Sequence, residues 1–500
     1  METSQQVNKE LTLEEIQNFK GKYPKQLWYL FTVEMWERFC FYGMRGILTI
    51  FMIDQLLLAA DEAKLRYAAI QSFVYAFTFI GGIFADKFLG FKKSLTFGAL
   101  LMIIGNALIA LSPHDLFYIG IAMTVIGTGF FKPNVSSMVG DLYKDGDPRR
   151  GAGFSIFYAG INVGAFFGGI ICVWLGKGHS WSLAFLAAAI VMLIGLLIFT
   201  FTKKYLGPIG NSPLKDLLPS KRRTKEIGVY LVAFITLPVI YIMIQNTQYT
   251  DYFMYIIGPA ALLYFFIKLF EEKDKASRKK LIAALIFIIF SIIFFALFEQ
   301  AGGSLAVFAL NNLHDNLLFF HVDPNMVNNS ANAFFVIVFS PLLGLFWLWL
   351  NRRKKEPNTV VKFGLGFLLL ALSYIVLYTT IYYADASGKT SLNVFTGGYF
   401  VMTMSELCIS PIGLSMITSL SPKRLGGMMM GLWFLGSAYG QYFAGVLGAN
   451  VVTASEGSSN LEQLQSYCNG YQQLAIGAVI VGILMLVLTP IIRKLMQEVK

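Results

Sequence analysis

Residues 34–45 read EMWERFCFYGMR and place four charged side chains in a stretch that is otherwise apolar: Glu34, Glu37, Arg38 and Arg45. Each charge near the centre of a bilayer costs about 2.5–3.5 kcal/mol on an insertion scale. Charged groups within a membrane span therefore indicate a substrate or ion pathway.

These charges share one face of a predicted helix, because they recur at intervals of three and four residues. Phe41 and Tyr42 lie on the same face. Glu34 and Arg38 are four residues apart, so their attraction offsets part of the burial cost. The alternative is a self-neutralising cluster that only holds helices together, although buried ion pairs are weak devices for stability.

Three further charges lie in other apolar stretches: Lys132 in GTGFFKPNVSSMVGDLY, Glu299 in FFALFEQAGG and Glu406 in MTMSELCISPIGLS. Acids and bases spread over both halves of the chain suit a cavity in which ion pairs exchange. They also suit a zwitterionic ligand, with Glu406 facing an ammonium group. The bases Arg38, Arg45 and Lys132 would then hold a carboxylate, and protons would compete with the ligand for the same acids.

Several uncharged polar and aromatic residues lie in the same apolar stretches as these charges. The aromatic candidates are Tyr42, Tyr75, Tyr158 and Trp433. Asn162 and Asn332 are stronger candidates, since a mid-span amide needs several hydrogen-bond partners. The cysteine and histidine spacings resemble no metal site, so the sequence predicts no cofactor.

The composition indicates a membrane protein, with 56% hydrophobic and only 14% charged residues among 500. Fourteen apolar segments are long enough to span a bilayer: 27–53, 67–85, 95–112, 116–139, 152–175, 181–202, 226–246, 252–270, 280–308, 330–350, 362–384, 394–419, 427–450 and 470–492. The polar first 25 residues do not have the pattern of a signal peptide, so we expect the first span to be retained. The predicted fold class is an all-α polytopic membrane protein.

Two basic loops, at 203–225 and 271–279, divide the predicted spans into six, two and six. The predicted organisation is an N-terminal arm (1–26), a six-helix bundle (27–202), a linker (203–225), a two-helix insert (226–270), a second linker (271–279), a second six-helix bundle (280–492) and a tail (493–500). Secondary transporters use two halves of six spans, with the substrate site between them near the midplane.

The net charge of +11 does not indicate a nucleic-acid partner, because most of the 40 Lys and Arg residues fall in the arm, alternate loops and the tail. This asymmetry predicts that both termini are cytoplasmic, with anionic membrane lipid as a partner of the basic loops. No GxxxxGK[ST] phosphate-binding loop occurs, so the energy for transport must come from a gradient or a partner.

The motifs resemble a known family. The loop GGIFADKFLGFKKS resembles the signature loop of the major facilitator superfamily. EMWERFCFYG resembles the ExxER motif of the proton-coupled oligopeptide transporters within that superfamily. GTGFFKPNVSSMVGDLY, FYAGINVGAFFGG and ELCISPIGLS followed by GLWFLGSAYG are similar to further motifs of that family, and the two-helix insert is typical of its prokaryotic members.

The resemblance implies proton-driven import of di- and tripeptides across the inner (plasma) membrane by alternating access, with a monomer as the functional unit. It implies that Glu34, Glu37 and Arg38 couple protons with Lys132 as their ion-pair partner. It also implies that Glu299 pairs with Arg45 to close the outer side. The implied pocket contains Arg38, Tyr42, Tyr75, Lys132, Tyr158, Asn162, Asn332, Glu406, Trp433 and Ser437, with Glu406 facing the peptide amino terminus.

This chain departs from the family pattern at Phe41, where many members have tyrosine, and at Ala333, where proline is frequent. Three alternatives stay open. Some relatives carry nitrate or other anions, although Glu406 disfavours an anion. A peptide receptor that does not transport would be expected to have long signalling tails. An enzyme would need a grouped nucleophile and base, which no motif supplies.

Overall fold

The computed structural model describes residues 11–144, 146–455 and 457–497, so the first ten residues of the predicted arm and residues 498–500 of the predicted tail lie outside it. The described chain is almost entirely helical. The α-helices are α1 (Leu13–Gln17), α2 (Lys25–Asp54), α3 (Ala60–Phe84), α4 (Phe91–Leu111), α5 (Phe117–Asp141), α6 (Arg150–Gly178), α7 (Trp181–Thr202), α8 (Pro219–Gln245), α9 (Thr247–Glu271), α10 (Lys275–Phe298), α11 (Ser304–Asn311), α12 (Pro324–Arg352), α13 (Thr359–Tyr378), α14 (Leu392–Leu420), α15 (Gly426–Asn450) and α16 (Asn460–Met496).

Shorter elements connect the helices. A π-helical turn, Ala85–Leu89, follows α3, and 3₁₀ turns occupy Lys203–Leu206, Thr379–Tyr383 and Lys423–Leu425. Two strands, β1 (Asn316–Leu317) and β2 (Phe320–His321), form an antiparallel hairpin between α11 and α12.

The helices confirm the predicted all-α polytopic class, and each predicted span except 280–308 falls mainly on one long helix. Ten helices in the described part are long and apolar enough to cross a membrane. The charged helix α2 is not among these ten, although it is 30 residues long.

Several helix boundaries differ from the predicted ones. Helix α8 begins at Pro219 and α10 at Lys275, so both take in the end of a predicted linker. Proline is favoured in the first helical turn, and the Asp274 side chain caps α10 by accepting hydrogen bonds from the amides of Ala276 and Ser277. The predicted span 280–308 is wrong as one continuous helix, because it breaks between α10 and α11.

The buried side chains form two large apolar cores. One extends over residues 16–244, mainly α2 to α7, and the other over residues 265–496, mainly α10 to α16. Glycines bring helices into close contact within the first core: a Cβ at Gly81 of α3 would lie 2.2 Å from the carbonyl oxygen of Gly129 in α5. For brevity, α2–α7 are called the first bundle and α10–α16 the second bundle.

The insert, α8 and α9, is attached to both bundles. Val229 and Ala233 of α8 belong to the first core, and Phe265 of α9 belongs to the second. Ion pairs add to this packing. Lys93 of α4 pairs with Glu226 at 2.7 Å, and Arg424 pairs with Glu272, which follows α9. The Arg424 guanidinium holds the pKa of the Glu272 carboxyl below its usual value.

Candidate functional site

The predicted charged face of α2 is buried in the first bundle. Glu34, Glu37 and Arg38 are at most 2% exposed. Arg38 Nε pairs with Glu37 and lies 3.1 Å from Glu34 Oε1. Glu34 Oε2, Glu37 Oε1 and Arg38 Nη2 have no hydrogen-bond partner among the described residues. The cluster therefore keeps two carboxylate oxygens and one guanidinium nitrogen without hydrogen-bond partners.

Phe41 completes this cluster. Its ring is 2% exposed, and the Arg38 guanidinium carbon lies 5.2 Å from its centroid. A cation over an aromatic face is stabilised by the ring quadrupole. Because this position holds phenylalanine and not tyrosine, the ring beside the guanidinium lacks a hydroxyl group.

Lys132 of α5 does not form the ion pair with the α2 acids that the resemblance implies. Its ammonium lies 4.6 Å from the centroid of the Tyr75 ring, and no carboxylate in the described part of the chain is within ion-pair distance. In this conformation Tyr75, on α3, takes the place of the expected acid. Lys132 is therefore a cation without an acid partner near the cluster.

Arg45, further along the same face of α2, pairs with Glu299 across the two bundles. Arg45 Nε also donates a hydrogen bond of 2.6 Å to the Tyr67 hydroxyl, and its guanidinium lies 5.7 Å from the Tyr42 ring centroid. Glu299 occupies the break between α10 and α11, so the broken helix presents this acid to the first bundle. The pairing that the resemblance implies is thus present in the structure.

A cavity of about 230 Å³ lies between the bundles next to this ion pair. Glu406 of α14 lies in its wall, where its Oε2 accepts a hydrogen bond of 2.7 Å from Asn332 Nδ2 of α12. The structure brings six of the predicted residues to the cavity wall: Tyr42, Arg45, Tyr75, Glu299, Asn332 and Glu406. An acid on the second bundle thus shares one space with a base on the first.

The other predicted residues do not line this cavity: Glu34, Glu37, Arg38, Lys132, Tyr158, Asn162, Trp433 and Ser437. Two of them make hydrogen bonds within their own helices. Asn162 Nδ2 donates to the Tyr158 carbonyl at 2.9 Å, and Ser437 Oγ donates to the Trp433 carbonyl at 3.2 Å. The Trp433 ring packs on Gly413 of α14, where a Cβ would come within 2.3 Å of the indole.

The sequence-based set lacks several residues of the cavity wall, among them Tyr67, Asn328, Asn329 and Tyr399. The Tyr399 hydroxyl donates to Asn328 Oδ1 at 2.6 Å, and Asn329 Nδ2 donates to the Gly46 carbonyl of the opposite bundle at 2.9 Å. A signal for the asparagines exists in NMVNNSANA, because Asn325, Asn328, Asn329 and Asn332 recur at helical spacing.

Further polar contacts join the bundles in the half of their interface that contains Arg45, here called the tied half. The Lys64 ammonium of α3 is fully buried and donates to the carbonyls of Gly448 and Val452 at 3.1 and 3.0 Å. Lys177 Nζ pairs with Asp323 at 2.5 Å. Every polar contact between the two bundles that the structure describes lies in this half, so the bundles are closed against each other there.

Two helical bundles with a charged cavity between them form the architecture of a membrane transporter, not of an enzyme. The sequence model of the POT family matches residues 92–464 of the chain. Dipeptide and tripeptide permease A of Cronobacter turicensis is 31% identical over 482 residues, covering 96% of this chain and 95% of that protein. The permease of the same name from Escherichia coli K12 is 29% identical over 480 residues, covering 95% and 94%.

Solved structures give the same result. A variant of peptide transporter POT in complex with alafosfalin has a TM-score of 0.84 at 30% identity, covering 98% of this chain and all of that one. A POT family transporter in complex with 5-aminolevulinic acid has a TM-score of 0.82 at 27% identity, covering 96% and 100%. The chain therefore belongs to the POT family of peptide transporters, as its motifs predict.

Proposed function

We propose that the protein is a proton-coupled symporter that imports di- and tripeptides across the inner membrane by alternating access. One observation carries this proposal. The cavity between the bundles holds a carboxylate, Glu406, and a guanidinium, Arg45, on opposite sides. The ends of a short peptide carry the complementary charges, and the relatives described above are named dipeptide and tripeptide permeases.

Glu406 binds the peptide ammonium in this proposal, and Asn332 holds the acid in place. Arg38 and Lys132 face the peptide carboxylate once the bundles rock, since both keep a donor that no acid in the described chain fully satisfies. Tyr42, Tyr75, Tyr158, Asn162, Trp433 and Ser437 complete the peptide pocket in one or another stage of the cycle.

Protons enter through the acids that hold these bases. Protonation of Glu299 weakens its pair with Arg45, and protonation of Glu37 or Glu34 weakens the pair with Arg38. The freed bases then bind the peptide carboxylate. Coupling follows, because the bundle formed by 27–202 and the bundle formed by 280–492 separate in the tied half only after Arg45 is released.

Both termini lie in the cytoplasm in this proposal, and the tied half faces outward. Support comes from the charge distribution. The loops at the ends opposite the tied half carry most of the Lys and Arg residues, the pattern of cytoplasmic loops. A monomer is the functional unit, since the cavity is built from one chain.

The test is uptake of labelled dialanine into proteoliposomes with an imposed inward proton gradient. We expect gradient-driven uptake, competition by unlabelled tripeptides, and loss of both in Glu406→Gln. Glu271→Gln is the matched control, because Glu271 is exposed at the end of α9 and, among the described residues, pairs only with Lys268. Uptake that ignores the gradient, or that nitrate inhibits and tripeptides do not, would contradict the proposal.

A further inference from the structure

A second cavity, of about 760 Å³, lies between the first bundle and the insert. It is formed where α4 and α8 begin and where the chain connects α7 to α8. We call it the basic cleft, because five basic residues line it: Lys92, Lys93, Lys203, Lys215 and Arg222. It shares no lining residue with the cavity between the bundles.

The cleft changes from basic to apolar along its depth. On α4, Lys93 is followed by Phe97 and Leu100 in the wall; on α8, Arg222 is followed by Phe234. From Arg222 to Phe234 a helix rises by roughly 18 Å, about half the thickness of a bilayer. The wall therefore has the polarity profile of one leaflet, with its charges at the helix ends.

The apolar part of the cleft is open to the side of the molecule. Leu100 is 44% exposed and Phe234 is 52% exposed. The Phe97 ring packs against Tyr230 of α8 at 4.8 Å between centroids, which closes the back of the cleft. In a bilayer this opening faces the acyl chains, so a chain can lie in the groove without leaving the membrane.

Part of the basic set is already committed to the protein. Lys93 binds both carboxylate oxygens of Glu226 at 2.7 Å, and Arg222 Nε lies 3.9 Å from the same carboxylate. Lys92 donates to the Gly207 carbonyl and to Asn211. Lys203 and Lys215, in contrast, have no ion-pair partner among the residues that the structure describes. The rim of the cleft thus carries a surplus of positive charge directly above an apolar groove.

We propose that the basic cleft binds one anionic phospholipid of the cytoplasmic leaflet. Its phosphate lies at Lys203, Lys215 and Arg222, and an acyl chain lies along Phe97, Leu100 and Phe234. Basic pockets at the cytoplasmic end of membrane helices recognise anionic headgroups in this way. The assignment of the leaflet rests on the orientation proposed above. The bound lipid adds to the contacts between the insert and the first bundle, which here include the Lys93–Glu226 ion pair and the packing of Phe97 on Tyr230.

The test is native mass spectrometry of the full-length protein in detergent, titrated with phosphatidylglycerol, with phosphatidylcholine or with inorganic phosphate. We expect one tightly retained phosphatidylglycerol, weaker retention of phosphatidylcholine, and no displacement by phosphate. The double variant Lys203→Gln/Lys215→Gln should retain phosphatidylglycerol roughly thirtyfold less, about fivefold for each lysine near an anionic headgroup.

The matched control is Lys204→Gln/Lys221→Gln, which removes the same charge from exposed lysines of the same segment that do not line the cleft. It should retain the lipid as the wild type does. Equal losses in both double variants would show general surface attraction and overturn the site. Displacement by phosphate alone would show an anion site without a lipid. Peptide uptake is not the readout, so failure here leaves the transport proposal untouched.

Discussion

The two arginines on the charged face of α2 serve contrasting kinds of ion pair. Arg38 pairs with two acids of its own helix, and all three groups are buried. Arg45, two turns later, pairs with Glu299 of the opposite bundle. Rigid movement of one bundle against the other leaves the first set of contacts intact and must break the second. The pairs within α2 thus balance the buried charges of that helix, whereas the pair between the bundles depends on the conformation of the protein.

Removing the charge of Arg38 should have the largest effect, because Glu34 and Glu37 would remain buried without their cation. We expect Arg38→Gln to lower the free energy of unfolding by about 3–5 kcal/mol. Thermal unfolding in detergent measures it. The triple variant Glu34→Gln/Glu37→Gln/Arg38→Gln should regain most of the loss, and a triple variant as unstable as Arg38→Gln would contradict this explanation.

Glu299→Gln should alter conformation more than folding, because Arg45 keeps its hydrogen bond to Tyr67. Loss of the charged hydrogen bond between Arg45 and Glu299 favours the separated bundles by about 1.5–3 kcal/mol. The population of the separated conformation should therefore rise at least roughly tenfold. Spin labels at Leu57 and Phe319, both strongly exposed in the tied half, report the distance.

The matched control for this measurement is Glu62→Gln, which removes an acid whose ion pair in the described part of the chain, with Arg66, lies within α3. Its label distances should equal those of the wild type. A similar shift in both variants would mean that surface charge, and not the pair between the bundles, sets the distance.

Lys64→Met should have a smaller effect of the same kind, about 1–2 kcal/mol, since methionine keeps the volume but donates to neither Gly448 nor Val452. Arg66→Met is its control. Arg66 lies on the same helix and pairs with the half-exposed Glu62, so its loss should cost under about 1 kcal/mol. The label distances and the unfolding temperature check both variants.

Lys177→Met should have the smallest effect among the contacts between the bundles. Lys177 and Asp323 are each about a quarter exposed, at 24% and 25%, and such pairs contribute about 0–1 kcal/mol. High salt should abolish even this difference in unfolding temperature, whereas the effect of Glu299→Gln should persist in salt. If Lys177→Met lowered the unfolding temperature equally at high salt, the Lys177–Asp323 pair would behave as a buried ion pair, and this prediction would be wrong.

Local contacts are predictable from the sequence, whereas contacts between helices are not. The face of α2 is predictable, because i, i+3 and i+4 spacing is a local property. Lys132 is not, because its position over Tyr75 depends on how α3 and α5 are rotated against each other. The sequence did not predict Tyr399 at the cavity for a similar reason. A buried tyrosine cannot be distinguished from a residue of the apolar core until the position of its hydrogen-bond partner, here Asn328, is known.

Helix ends were predicted less well than spans. Hydropathy indicates only the part of a helix that lies within the membrane. A helix continues beyond that part where the charged residues are good helix formers, as they are after Pro219. The break after Phe298 has a signal in the glycines Gly302 and Gly303. Within an apolar run that signal alone does not separate a kink from a close helix contact.

The break between α10 and α11 has a further consequence. Helix termini leave backbone carbonyls without partners, and here side chains of three different helices supply them: Thr49 for Gly302, Asn328 for Ala301 and Tyr374 for Leu297. Only Thr49 belongs to the first bundle. Separation of the bundles strips that one carbonyl of its donor until water or another group arrives, a transient cost of about 1–3 kcal/mol. Opening of the tied half consequently includes an unfavourable step in which this carbonyl lacks its donor.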